Sequence, residues 1–178
     1  MKKFNKILFV CIAVSAISFS SCKKPPVIDP IVGTWTLENT EVVFTTSNPT
    51  YAPIFNQIAN GASSYLQLPK VLDFKSDGTG IYDGDKPFTY TKTNTQLTFI
   101  GISIGLPFVE DTFSVDYQML DENKTLKMTL DLTEASKPAL KLLIEYYLSM
   151  NGLPTSLADV ILAAVSKTEG IATYNRNE

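Results

Sequence analysis

From Ile31 onward, large apolar and polar side chains take turns along the chain. Gly33, Trp35 and Leu37 fall on one side and Thr34, Thr36 and Glu38 on the other, the period of two that marks a half-buried strand. A short run from Glu41 to Thr45 continues it past a bend. Between Asn48 and Leu66 the rhythm changes. Ile54, Phe55, Ile58, Ala62, Tyr65 and Leu66 recur at helical spacing, with Thr50 as candidate cap, Pro53 in the first turn and Gly61 weakening the middle. Strand patterning then resumes. Val71 to Lys75 and Gly80 to Tyr82 flank Ser76-Asp77-Gly78-Thr79, whose Asp-Gly pair is a hairpin signal. Phe88 to Thr93 and Gln96 to Ile100 flank a second tight turn at Asn94-Thr95.

The clearest alternation follows. Phe113, Val115, Tyr117 and Met119 share one face, and beyond a turn at Asp121 to Lys124 so do Leu126, Met128, Leu130 and Leu132. Thr112, Ser114, Asp116, Gln118, Thr125, Lys127, Thr129 and Asp131 form the opposite, polar face. One dry face and one wet face is the pattern of a barrel or sandwich wall. Two helices are predicted next, one from Lys137 to Met150 capped by Ser136 and ended by Gly152, the other from Leu157 to about Lys167 capped by Ser156. Leu140, Leu143, Ile144, Tyr147 and Leu148 make the apolar stripe of the first, and Leu157, Val160, Ile161, Ala164 and Val165 that of the second. Ile171 to Tyr174 reads as a last short strand that returns beside the first and closes the sheet. The predicted fold class is mainly β with accessory α-helices, an antiparallel β-barrel over residues 31–178.

The chain ahead of Ile31 has a different character. Lys2, Lys3 and Lys6 precede an apolar run from Ile7 to Phe19, which is the layout of a secretory signal over residues 1–21 and too short to span a bilayer comfortably; an uncleaved membrane anchor is the alternative. The sequence Phe19-Ser20-Ser21-Cys22 resembles the lipobox of bacterial lipoproteins, with Phe19 in place of the usual Leu, a looser form seen in Bacteroidetes. The resemblance implies lipidation of Cys22 after cleavage. Acyl chains contribute about 0.8 kcal/mol per buried methylene, so several hold a protein on a membrane more firmly than one. Cys11, the other cysteine, leaves with the signal. Residues 22–30 form a tether, in which three prolines between Lys23 and Pro30 favour an extended spacer. Lys23 and Lys24 stand where related lipoproteins exported to the cell surface carry acidic residues, so the expected location is the outer membrane, facing the periplasm. Cleavage removes Lys2, Lys3 and Lys6 and takes the net charge from −3 to −6. That balance argues against nucleic-acid binding, which needs a basic surface.

Gly33-Thr34-Trp35 on the first strand looks like the G-x-W signature of lipocalins and other calycins. The wider order of elements is similar to the lipocalin-like domains of Bacteroidetes lipoproteins: IVGTW after the cysteine, an early helix, VLDFKSDGTG, a YTxxxxxLTF strand pair and a late helical pair. The resemblance spans nearly the whole chain after Cys22. It implies that Trp35 packs at the closed end of the barrel and that a basic residue from the last strand lies across it. Arg176, the only arginine, can fill that role if the first and last strands are neighbours; otherwise it belongs to a frayed tail. The fold signature is therefore Gly33, Trp35 and Arg176. Three helices exceed what a plain up-and-down barrel needs, and their stripes must cover its mouth or its outer wall.

Candidate chemistry is sparse. The chain has no histidine and no thiol left for catalysis once Cys22 is acylated, which excludes Ser-His-Asp, Cys-His and ordinary zinc sites. Asp73, Asp77, Asp83 and Asp85 are close in sequence and read as turn residues. The calcium-loop alternative places Lys75 at a ligand position and lacks a closing glutamate. Glu110 with Asp111, and Asp83 with Asp85, sit near strand ends, where solvated charge is the default, whereas glycoside hydrolysis needs a pair facing a cleft. Ile100, Ile102, Ile104, Leu106 and Phe108 alternate with Gly101, Ser103, Gly105 and Pro107, either as a strand packed under a helix or as a cavity rim. No metal or cofactor is expected. The chain reads as a non-catalytic, membrane-anchored module for a small apolar molecule if the barrel interior is open, or a scaffold or inhibitor using its outer surface on a protein partner if it is filled.

Overall fold

The computed structural model describes residues 29–63, 66–104 and 112–177. The proposed signal and Cys22, most of the tether, Tyr65, Leu106, Phe108, Glu110 and Asp111 lie outside the described residues. Eight strands run β1 (Gly33–Thr46), β2 (Val71–Phe74), β3 (Thr79–Tyr82), β4 (Lys86–Lys92), β5 (Gln96–Ile100), β6 (Thr112–Leu120), β7 (Thr125–Asp131) and β8 (Val165–Arg176). Each pairs antiparallel with its neighbour in the chain, and β8 pairs back onto β1, closing a barrel in sequence order. This is the up-and-down closure of a lipocalin-like fold, and it leaves no edge between β1 and β8. Three helices accompany it: α1 (Ala52–Ala62), α2 (Thr133–Met150) and α3 (Ala158–Ala163).

The connections are segregated. Tight turns after β2, β4 and β6, together with the start of β1 and the end of β8, gather at one end of the cylinder. The long connections gather at the other end: α1 between β1 and β2, the stretch between β5 and β6, and α2 with α3 between β7 and β8. Apolar side chains fill the inside, while Thr112, Ser114, Asp116 and Gln118 of β6 are exposed outside. A barrel spanning lipid would invert that arrangement.

Trp35, Leu72, Phe74, Leu97, Phe99, Leu126 and Tyr174 are almost fully buried in the barrel. Phe74 sits at the centre of an aromatic group, with ring centroids 4.9 Å from Tyr90 and 5.4 Å from Phe88, both edge to face. Such pairs contribute about 0.5–1.5 kcal/mol beyond their buried area. Tyr174 donates its hydroxyl to the Pro69 carbonyl at 3.0 Å, and burial pushes its ionisation well above the usual tyrosine range. Because the folded state resists ionising Tyr174, its contribution is intact below about pH 10 and declines as pH rises beyond that. Tyr174→Phe is therefore expected to cost about 1–2 kcal/mol at neutral pH and to flatten the alkaline loss of stability, as read from urea titrations at a series of pH values.

Several local expectations give way to tertiary demands. Asn48, not Thr50, caps the start of the first helical segment: its side chain accepts the Thr50 N–H at 3.0 Å over a short 3-10 turn, Pro49–Tyr51, that leads into α1. α2 starts at Thr133, so Ser136 lies inside it and is no cap; Asp131 accepts the Thr133 N–H at 2.9 Å instead. α3 is only six residues long and follows a 3-10 turn at Thr155–Leu157, with Ser156 inside that turn and not ahead of a helix. Val165 to Lys167, expected in that helix, belong to β8 because the far half of β1 needs a partner: Thr46 lies opposite Val165 and Phe44 opposite Thr168. The last strand thus begins six residues before the expected Ile171. Finally, Ile100 to Ile104 do not share one strand face. Gly101 adopts φ +89°, open to glycine without cost, and the reversal turns Ile102 and Ile104 into the core while Ile100 stays 48% exposed.

Candidate functional site

Two spaces could receive a small apolar molecule. The first is the barrel interior, where Leu68, Leu72, Phe99, Ile102, Ile104, Val115, Met128 and Tyr174 surround a residual cavity of about 40 Å³. Drug-sized ligands occupy roughly 300–1,000 Å³, so the interior is filled by its own side chains. Ile102 and Ile104 are part of that filling, neither a strand under a helix nor an open rim.

The second space lies outside the cylinder. β1 pairs with β2 only through Thr36, whereas its pairing with β8 continues to Thr46, so a two-stranded ribbon projects beyond the barrel at the long-loop end. The helices pack on this ribbon. Phe55 of α1, Leu140, Ile144 and Leu148 of α2, and Ala158 and Ile161 of α3 form a second core, separate from the barrel's, with Phe44 and Val165 packed against it. Phe44 and Phe55 have ring centroids 5.6 Å apart, and Lys141 of α2 pairs with Asp159 in the first turn of α3 at 2.6 Å.

Between α1 and α2, over the ribbon, runs a groove of about 790 Å³. Ile58 and Ala62 of α1 form one wall and Leu142, Leu143, Tyr146 and Met150 of α2 the other, with Val42, Phe44 and Thr168 beneath. Among the described residues, no charged side chain lines it. The groove exists because α2 carries apolar side chains over a wider arc than one packing face can use. Leu140, Ile144 and Leu148 face the core, while Leu142, Tyr146 and Met150 remain 65–69% exposed. Reading only one stripe on α2 overlooks this; the second stripe, at Ala139, Leu142, Leu143, Tyr146, Tyr147 and Met150, is in the sequence at the same helical spacing.

At the opposite end, Gly33, Trp35 and Arg176 come together. The Arg176 guanidinium lies 5.3 Å from the Trp35 ring centroid and donates to the carbonyl of Val32 at 2.5 Å and of Asn123 at 3.4 Å. Trp35 is completely buried and donates its indole N–H to the Ile31 carbonyl at 2.9 Å. Gly33 holds φ +138°, and a Cβ there would sit 3.1 Å from Arg176 Nη2, so glycine lets the arginine cross. The arrangement offers no opening for a substrate and serves the fold. Beside it, Asp29 pairs with Lys92 of β4 at 2.5 Å. Burial pushes the Asp29 carboxyl up, but the Lys92 ammonium and the Ile31 N–H together bring it below the usual range. This contact ties Asp29, just ahead of β1, to β4.

Asp77, Asp83 and Asp85 lie in turns as expected, whereas Asp73 does not: it sits inside β2, paired with Thr34 of β1 and Ile81 of β3 because the sheet needs that position in its ladder. Asp73 accepts from Thr34 Oγ1 at 3.2 Å, Asp77 from the Thr79 N–H and hydroxyl at 2.9 and 2.7 Å, and Asp83 from the N–H groups of Lys70 and Val71. The Thr79 bonds hold the Asp77 carboxyl below its usual range. Among the described residues no three His, Cys, Asp or Glu side chains converge as a metal site would need, and no helix is long and apolar enough to cross a membrane. Compared with known proteins, the chain matches no family model, no curated protein and no solved structure.

Proposed function

We propose that this chain is a lipid-anchored, lipocalin-like envelope protein that binds a small apolar molecule in the groove between α1 and α2, outside the barrel. The observation carrying this reading is the contrast between a filled interior of about 40 Å³ and an uncharged apolar groove of about 790 Å³. Acylation of Cys22, attachment to the outer membrane on its periplasmic side and absence of catalysis belong to the same proposal. The layout supports it. Asp29 and Lys92 pair at the tight-turn end, and β1 carries the ribbon away from that end over 14 residues, roughly 40 Å at strand rise. The groove is thus presented far from the tether, where it can meet a cargo in the aqueous compartment. A scaffold or inhibitor docking a protein partner on Leu142, Tyr146 and Met150 is the second reading, favoured by their exposure and by the filled interior, which removes the ligand site expected inside the barrel.

A groove-filling substitution tests the first reading. Ala139 is exposed on α2 and lines the groove, so Ala139→Trp should leave the circular dichroism and melting temperature nearly unchanged. Binding of diphenylhexatriene, a hydrocarbon fluorophore, to the mature chain carrying Cys22→Ala should fall about tenfold or more. Unchanged binding would remove the groove as the site. Mass spectrometry of molecules co-purifying from the native host would then identify the cargo, and Cys22→Ala should release the protein from host membranes.

A further inference from the structure

Among the described residues, two covered side-chain oxygens have no hydrogen-bond partner, Ser136 Oγ and Thr168 Oγ1, and both residues line the groove. They meet where α2 leaves β7 and crosses β8. The Leu132 N–H donates to the Thr168 carbonyl at 2.8 Å, the Thr168 N–H to Thr133 Oγ1 at 3.0 Å, and the Ser136 N–H to the Leu132 carbonyl at 2.8 Å. The backbone around both side chains is satisfied, and only the hydroxyls are not. Thr168 is 2% exposed, the one buried polar residue of the described chain. A buried hydroxyl without a partner is costly, and such groups in a folded protein call for a specific explanation.

Resting on the groove as the binding site, we infer that these two hydroxyls form its polar end and that the cargo is a neutral amphiphile, with an alcohol or carbonyl head on an apolar body. Both residues line the groove, and a serine or threonine hydroxyl can donate to a carbonyl or accept from an alcohol. The charge of the head follows from the lining. Every described residue around the groove is uncharged, so an ionised carboxylate or ammonium would be drawn out of water with no counter-ion among them, which costs far more than two neutral hydrogen bonds return. Leu143, Tyr146 and Met150 also line the groove and offer the apolar surface for the body of the cargo.

The test compares 1-decanol with decanoate, which share a chain and differ in head group, as competitors of diphenylhexatriene on the mature chain carrying Cys22→Ala. Decanol should displace the fluorophore at a concentration about tenfold lower than decanoate at neutral pH. Ser136→Ala combined with Thr168→Val should weaken decanol about tenfold and so abolish its advantage over decanoate. Without ligand, Thr168→Val should melt about 2–4 °C higher, because it removes the unpartnered oxygen at constant shape. Equal displacement by the acid and the alcohol, or undiminished decanol binding in the double variant, would overturn the inference, as would a lower melting temperature for Thr168→Val, the sign of a hydroxyl serving the fold. If diphenylhexatriene binds, is lost in Ala139→Trp and shows no head-group preference, only the neutral-amphiphile inference falls. If it does not bind at all, the groove reading falls with it.

Discussion

Trp35→Ala is expected to remove about 3–5 kcal/mol of stability, the range for deleting a large aromatic side chain from a packed core. The side chain is wholly buried, donates to the Ile31 carbonyl and lies beneath the Arg176 guanidinium, so its loss opens a cavity, leaves the Ile31 carbonyl without its donor and takes the aromatic face from under the cation. It also faces Leu72 of β2 and Arg176 of β8 in register, at the strand that closes the ring. Trp35 is the sole tryptophan, so unfolding must be followed by far-ultraviolet circular dichroism in urea. A loss under about 1 kcal/mol would contradict a closure built on this residue. Arg176→Leu should cost less, about 1–2 kcal/mol, and a double-mutant cycle with Trp35→Phe should show coupling of about 0.5–2 kcal/mol between ring and guanidinium.

Gly80→Ala should be nearly as damaging, at about 2–3 kcal/mol, although it adds a single methyl group. A Cβ at Gly80 would overlap the Phe88 ring and stand 2.6 Å from the Asp73 carbonyl oxygen. The outer end of the ring reaches over this glycine because Gly80 is directly opposite Phe88 across β3 and β4 and opposite Phe74 across β2 and β3. The ring can turn, but the Asp73 carbonyl is held in the sheet and cannot. Phe88→Leu in the same chain should therefore recover part of the loss but not all of it, and guanidinium melts of the single and double variants measure both parts. Gly61→Ala is the contrasting case. A Cβ there meets nothing within 4 Å, and because Gly61 is the penultimate residue of α1 alanine is expected to add up to about 0.5 kcal/mol, the lower end of the helix-interior gain.

The barrel was legible in the chain because strand alternation is a local property that survives folding. Trp35 and Leu37, Val115, and Leu126 with Met128 all point inward as their period requires. Helix boundaries were less legible because competing partners set them. Val165 to Lys167 have helical neighbours and an apolar spacing that fits a helix, yet β1 offers them a backbone ladder from Val43 to Thr46, and pairing outweighs local propensity. Ser136 resembles a cap by residue type alone. Whether the preceding turn is already helical depends on Asp131, which reaches Thr133 only once β7 has delivered it there. The groove was half visible: the second apolar stripe of α2 can be counted in the sequence, but not the fact that α1 stops short of covering it.

By itself, the order of apolar and polar residues determined that this chain makes antiparallel strands, that an apolar set must face a common interior, and that Trp35 belongs to it. Those outcomes follow from periods of two and from the cost of leaving large apolar surface in water, and neither depends on distant partners. Tertiary structure alone decided that the interior would be filled while an open space formed elsewhere. Volume is settled when Phe74, Phe88, Tyr90 and Phe99 arrive together from three strands, and when a ribbon of β1 and β8 lifts two helices clear of the barrel wall. Packing density is a property of the assembled set, so no single stretch of sequence carries it.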